Sequence, residues 1–110
     1  MKVITRGQYE VIPKESKEGI FVFLKDGDCN ICDEFLKNLS EYKDREFYKV
    51  LTIVLIISEE DIEWAMTKET ITSAPATRIY LRGYPLKTFY GLMFPIQMIK
   101  LENYYLEYFK

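Results

Sequence analysis

Gly19-Ile20-Phe21-Val22-Phe23-Leu24-Lys25-Asp26-Gly27-Asp28-Cys29-Asn30-Ile31-Cys32 is the stretch that decides how this chain folds. The five apolar residues Ile20 to Leu24 form an unbroken run, opened by Gly19 and closed by a polar turn. Such a run suits a strand in the middle of a sheet, covered on both faces. Lys25 to Asp28 reads as the turn, with Asp28 as the N-cap of a helix. That helix is expected over Cys29 to Tyr42, because Ile31, Phe35, Leu39 and Tyr42 recur at three- and four-residue steps and mark one buried stripe. Strand, turn and helix thus deliver two cysteines to a first helical turn.

The same reading extends outward in both directions. Lys2 to Thr5 is a short first strand, and Arg6 to Lys17, divided by Pro13, is a short helix or an irregular connection. Val50 to Ile57 is a second buried strand, rich in β-branched residues. Ser58 and Asp61 cap a helix near Glu59 to Lys68, with Ile62 and Ala65 turned inward and Trp64 packing on its face. After Ala74-Pro75 comes a strand from Ala76 to Arg82, then a turn at Gly83-Tyr84-Pro85 and a strand from Leu86 to Tyr90, which is a hairpin pattern. Gly91 breaks that strand. Pro95 to Phe109 closes the chain as a helix, with Ile99, Leu106 and Phe109 expected in the core. Strands joined through helices are parallel and a hairpin is antiparallel, so the expectation is a mixed α/β sheet of four or five strands with helices on both faces.

Composition narrows the chemistry. A chain of 110 residues, 48% of them hydrophobic, fits a single domain over 1–110 with one packed interior. The net charge is −2 and the signs alternate, so the clustered cations of a nucleic-acid binder are missing. No apolar run is long enough to suggest a membrane span. Met1 to Gly7 has no long apolar stretch and no small-residue cleavage site, so no secretory signal is expected and a reducing, cytoplasmic setting is. There is no histidine. The usual general base near neutral pH and the commonest metal ligand are therefore both absent, and a Ser-His or Cys-His hydrolase cannot be assembled.

Cys29 and Cys32 carry what chemistry remains. Their spacing places the sulfurs at neighbouring helix positions, where one disulfide can close. The unpaired N–H groups and positive dipole end of the helix favour a thiolate at Cys29. The thiolate is the attacking species in disulfide exchange, and Cys32, one turn deeper, is placed to resolve the mixed disulfide. Two other readings stand beside this one. Cysteines are often inert core residues. A structural zinc site would need four ligands, which this chain could supply only as a dimer, so no metal is expected.

A Cys-x-x-Cys between strand and helix resembles the thioredoxin and glutaredoxin superfamily, and the resemblance runs from about Gly19 to Lys110. Ser73-Ala74-Pro75-Ala76-Thr77 stands where thioredoxins carry a cis-proline facing the cysteines; the hairpin glycine, the glycine after the last strand and the final helix match in order. The resemblance implies a thioredoxin-like fold and a protein disulfide oxidoreductase in electron transport. In that reading Cys29 is the nucleophile and Cys32 the resolving thiol, while Ile31, Ala74 and Pro75 shape the client groove. Apart from the resemblance, the charges of the turn read as modulators, Lys25 supporting the thiolate and Asp26 and Asp28 opposing it, or else as a solvated turn. The resemblance implies no bound cofactor. The implied partners are client proteins with disulfides and a reductase or small thiol as electron donor, with the chain working as a monomer. The sequence departs from the family at five places, one of them the missing glutaredoxin Gly-Gly pair after the proline-bearing strand. Asn30-Ile31 replaces the Gly-Pro or Pro-Tyr dipeptide, and Asp28 replaces the aromatic residue before the first cysteine. Phe23 replaces the buried acid six positions before it, and Asp26 replaces the glutaredoxin lysine. The missing buried acid and the aromatic-rich sequence motivate an alternative: a thioredoxin-fold interaction module or complex subunit whose redox activity is secondary.

Overall fold

The computed structural model describes residues 1–110. In chain order it contains β1 (Lys2–Thr5), α1 (Arg6–Glu10), β2 (Gly19–Lys25), α2 (Asn30–Leu39), α3 (Glu46–Lys49), β3 (Leu51–Ile56), α4 (Glu59–Thr67), β4 (Ala76–Leu81), β5 (Tyr84–Tyr90) and α5 (Pro95–Tyr108), with single 3-10 turns at Lys14–Ser16 and Ser40–Tyr42. The sheet has five strands in the order β1-β3-β2-β4-β5. β1 and β2 run parallel to β3, while β4 is antiparallel to β2 and to β5.

The unbroken apolar run decides this arrangement. β2 lies between β3 and β4, so Ile20 pairs with Leu51 on one side and Ile79 on the other. Its side chains alternate between two separate packed layers. Ile20, Val22 and Leu24 face α2 and α5, with Phe35, Leu39, Met98, Leu101 and Tyr105. Phe21 and Phe23 face α1 and α4, with Tyr9, Trp64, Ala65 and Ile71. Both faces being covered explains why no polar alternation shows in β2. The second layer is aromatic: the Tyr9 ring meets Phe21, Phe23 and Trp64 edge-on at 5.4–5.5 Å. Tyr9 and Tyr80 send their hydroxyls to Glu69.

Several boundaries differ from the sequence expectation. The ambiguous N-terminal segment forms α1, closed by a reciprocal cap between Thr5 and Gln8. α3 is an added short helix between Tyr42 and β3. The hairpin loop is Arg82-Gly83, both with positive φ, and Tyr84 and Pro85 already belong to β5. β5 is an edge strand, where a proline's missing N–H leaves no ladder bond unmade. In β4 Arg78 is buried as well as Thr77 and Ile79; its guanidinium donates to Thr88 Oγ1 at 2.8 Å and to the Glu69 carbonyl. α5 is rotated from its expected phase. Met98, Leu101 and Tyr105 are buried, Ile99 and Leu106 are exposed, and Phe109 packs half-buried at the cluster's margin. No helix is long and apolar enough to cross a membrane.

Candidate redox site

The end of β2 launches the site. Lys25 is the last residue of the strand, and the next N–H, that of Asp26, donates to the Ile56 carbonyl at 2.9 Å. The chain then turns through two left-handed residues, Gly27 at φ 75° and Asp28 at φ 34°. With Asp28 used for the turn, the N-cap falls on Cys29, one residue later than expected. The Cys29 Sγ accepts from the Cys32 N–H at 3.2 Å. Cap and helix start together place the sulfurs in bonding reach: Cys29 and Cys32 form a disulfide, with their Cα atoms 5.2 Å apart.

The shift also resets which residues face inward. Cys32, Phe35 and Leu39 form the buried stripe of α2, and Cys32 is 2% exposed. Ile31 was expected in that stripe; it is instead 44% exposed, beside the cysteine pair. Tyr42 lies past the end of α2 in a 3-10 turn and is half-buried. Cys29 is half-buried and is the more exposed residue of the pair.

Residues from four distant stretches meet at Cys29. The Ala74–Pro75 peptide bond is cis, and the Gly91 N–H donates to the Pro75 carbonyl at 2.8 Å, tying the end of β5 to this loop. Between the loop before Pro75 and α4 lies a slot of about 150 Å³, lined by Lys25, Cys29, Ile56, Ile62, Met66 and Ala74 among others. Of the residues expected at the site, Lys25, Cys29 and Ala74 line this slot, whereas Asp26, Asp28, Ile31 and Pro75 do not. Sequence reasoning missed Ile56, Met66 and Ile71, which come together only in three dimensions; Ile62 was marked as inward-facing by its helix position alone. A larger open groove of about 640 Å³ lies between α1 and α4, lined by Arg6, Tyr9, Lys17 and Trp64 among others, and holds neither cysteine. No group of three or more His, Cys, Asp or Glu side chains is arranged to hold a metal ion.

No protein-family model matches the chain, and no curated protein matches it by sequence. Solved structures do match by shape. Plasmodium falciparum thioredoxin superposes with a TM-score of 0.64 at 20% identity, over 96% of this chain and 98% of that one. Chlamydomonas reinhardtii thioredoxin f2 gives 0.66 at 15% identity, over 97% and 94%. Arabidopsis thaliana thioredoxin O2 in the oxidized state gives 0.65 at 14% identity, over 99% and 94%. The fold is the thioredoxin fold. Within it, the buried residue six positions before Cys29 is Phe23, packed against the Tyr9 ring at 5.5 Å, so no acid stands there.

Proposed function

We propose that this chain is a thiol–disulfide oxidoreductase that reduces disulfides in client proteins. The observation that carries the reading is the asymmetry of the pair: a half-exposed Cys29 at a helix N-cap, bonded to a buried Cys32. In the dithiol form the Cys29 thiol loses its proton to solvent, and the thiolate attacks one sulfur of the client disulfide. The client S–S bond breaks, and its second sulfur leaves with the electron pair and takes up a proton. The Cys32 thiolate, its own proton released, then attacks the Cys29 sulfur. The Cys29–Cys32 bond closes as the client's first sulfur leaves and is protonated. Two electrons and two protons pass to the client, and a reductase or small thiol must return them. In this reading the Ala74 backbone, which lines the same slot as Cys29 and is held by the cis bond to Pro75, receives an extended client segment. The setting proposed is the cytoplasm, with the chain acting as a monomer.

The test uses insulin, whose disulfides are reported by precipitation of the freed chain. Wild type should accelerate its reduction by dithiothreitol, and Cys29→Ser should not. Cys32→Ser should accumulate a mixed disulfide between Cys29 and an insulin chain, visible on a non-reducing gel. Equal trapping by both variants overturns the assignment of roles. A second reading, an interaction module, is favoured by Phe94, Ile96 and Ile99, which stand exposed along one end of α5. Wild-type protein with no effect on insulin reduction would support it.

A further inference from the structure

The slot beside Cys29 has ten lining residues, and only two of them can ionise: Lys25 and Cys29 itself. The others are Ala74, the aliphatic or thioether side chains of Ile56, Ile62, Ala65, Met66 and Ile71, and the hydroxyl residues Thr72 and Ser73. No carboxylate within ion-pair distance accompanies the Lys25 ammonium, since the four ion pairs of the molecule are Arg6–Glu10, Arg6–Asp61, Arg45–Glu102 and Lys110–Glu46. The acids nearest in sequence, Asp26, Asp28 and Asp33, are exposed and do not line the slot, and neither α4 nor the loop from Ile71 to Ala74 contributes a charge to it.

We propose that Lys25 balances the charge in this slot through the catalytic cycle, first against the Cys29 thiolate and then against a client carboxylate, so that the protein favours disulfides flanked by glutamate. The inference rests on Cys29 being the nucleophile. The walls of the slot are mostly apolar and screen a charge less than bulk water does, so the cation of Lys25, which lines the same slot as Cys29, favours the thiolate. Lys25 itself is exposed on its outer side, which moderates the effect. Once Cys29 is bonded to the client its sulfur is neutral, and the ammonium is left facing an aliphatic surface without a counter-ion. That unpaired state is the one seen with the Cys29–Cys32 disulfide closed. A slot of about 150 Å³ admits a single side chain. A glutamate there lays its methylenes on Ile62 and Met66 and brings its carboxylate to Lys25.

The experiment uses three disulfide-linked peptides that differ only in the residue next to the cystine, Glu, Gln or Lys, with hydroxyethyl disulfide as an uncharged reference. Second-order rates are measured for the reduced wild type, Lys25→Met and Lys25→Arg, and thiolate formation is followed by ultraviolet absorbance against pH. Wild type and Lys25→Arg should prefer the Glu peptide over the Lys peptide by about tenfold at low salt, with the ratio shrinking as salt is raised. Lys25→Met should lower the ratio to within about twofold, and its thiolate should form at higher pH. An unchanged Glu-to-Lys ratio in Lys25→Met overturns the inference while leaving the oxidoreductase reading intact. Wild type inert toward every disulfide, hydroxyethyl disulfide included, overturns both.

Discussion

Replacing Gly83 by alanine tests how the N-terminal segment is fastened to the sheet. Gly83 has φ +83°, and a Cβ built on it would lie 2.6 Å from the Lys14 carbonyl oxygen and 2.8 Å from the Glu15 Cα. Both neighbours are backbone atoms in the 3-10 turn Lys14–Ser16, so no side chain can swing aside. Contact between such atoms begins at about 3.5 Å, so the hairpin and the turn must part by close to 1 Å. Parting them stretches the bond from the Gly83 N–H to the Lys17 carbonyl, now 2.7 Å. A lost hydrogen bond of this kind costs about 0.5–1.5 kcal/mol. A non-glycine residue held at positive φ costs a further 1–2 kcal/mol or so. Alanine also narrows the unfolded ensemble, which offsets about 0.4–1 kcal/mol. The net expectation is a loss of roughly 2 kcal/mol, or about 8 °C in Tm for a chain of this size. Urea denaturation of wild type and Gly83→Ala measures it. The Arg82-Gly83 loop follows the far end of β4, whereas Ala76, at the other end, pairs with Phe23 near the cysteines. Disulfide-exchange rates of the folded variant should therefore match wild type. A stability change below about 0.5 kcal/mol would mean the turn and hairpin are not in contact as described.

The phase of α5 is tested by a pair of truncations: Leu101→Ala, at a site 1% exposed, should cost about 2–5 kcal/mol, while Ile99→Ala, at a site 59% exposed, should change stability by less than about 0.5 kcal/mol in the same urea assay. The opposite ranking would restore the phase read from sequence. Burial raises the Tyr9 hydroxyl well above its ordinary pKa of 10.0, and its hydrogen bond to Glu69 adds to the shift. Below pH 10 the folded and unfolded chains both hold that proton and the contribution is fully present; above it the unfolded chain deprotonates first, so stability falls as pH rises. Tyr9→Phe should therefore make the decline in urea midpoint above about pH 10 shallower than in wild type, with Tyr80, raised by the same burial, retaining part of it. An equal slope in both proteins would place the titrating groups elsewhere.

How much of the fold was legible follows from how local each signal is. Ile20–Leu24 and Val50–Ile57 were recognisable as strands because a short apolar run, unbroken in the first and interrupted only by Thr52 in the second, suits an interior strand, and both strands are interior, the second trimmed to Leu51–Ile56. Ser58 was recognisable as a cap because its Oγ accepts from the Asp61 N–H three residues away, at 3.1 Å. α5 was recognisable as a helix but not in its phase. Ile96, Met98, Ile99, Leu101, Tyr104, Tyr105, Leu106 and Tyr108 supply apolar surface all round, so periodicity alone permits more than one stripe. The choice is made outside the helix. Pro95 occupies its first turn, and the Gln97 side chain bonds the Phe94 N–H at 2.9 Å, which fixes the starting angle. Pro85 misled in another way. It reads as part of a turn, yet β5 is an edge strand with a register irregularity opposite Ile79 and Tyr80, where a proline is tolerated.

The site divides along the same line. The Cys29–Cys32 spacing is a local fact, and the disulfide follows from it once a helix begins there. Whether Ile31 or Cys32 faces outward is not local, because the stripes Ile31-Phe35-Leu39 and Cys32-Phe35-Leu39 share two members and differ by a single residue. The tie is broken by the left-handed φ of Asp28, which moves the cap to Cys29 and rotates Ile31 to the surface. The charged residues of the turn show the largest gap between sequence and structure. Lys25, Asp26 and Asp28 stand within four positions of Cys29, and by sequence distance alone all three read as modulators, the lysine for the thiolate and the aspartates against it. Lys25 is still in β2, and its side chain reaches the slot formed with Ile56 of β3, Ile62 and Met66 of α4, and Ala74. Asp26 is already anchored by its N–H to Ile56, and Gly27 and Asp28 carry the chain away. Segments more than forty residues apart therefore decide that the cation, and neither aspartate, shares this slot with Cys29. Substituting Asp26 or Asp28 changes a solvated turn; substituting Lys25 changes the only other ionisable group that faces the Cys29 slot.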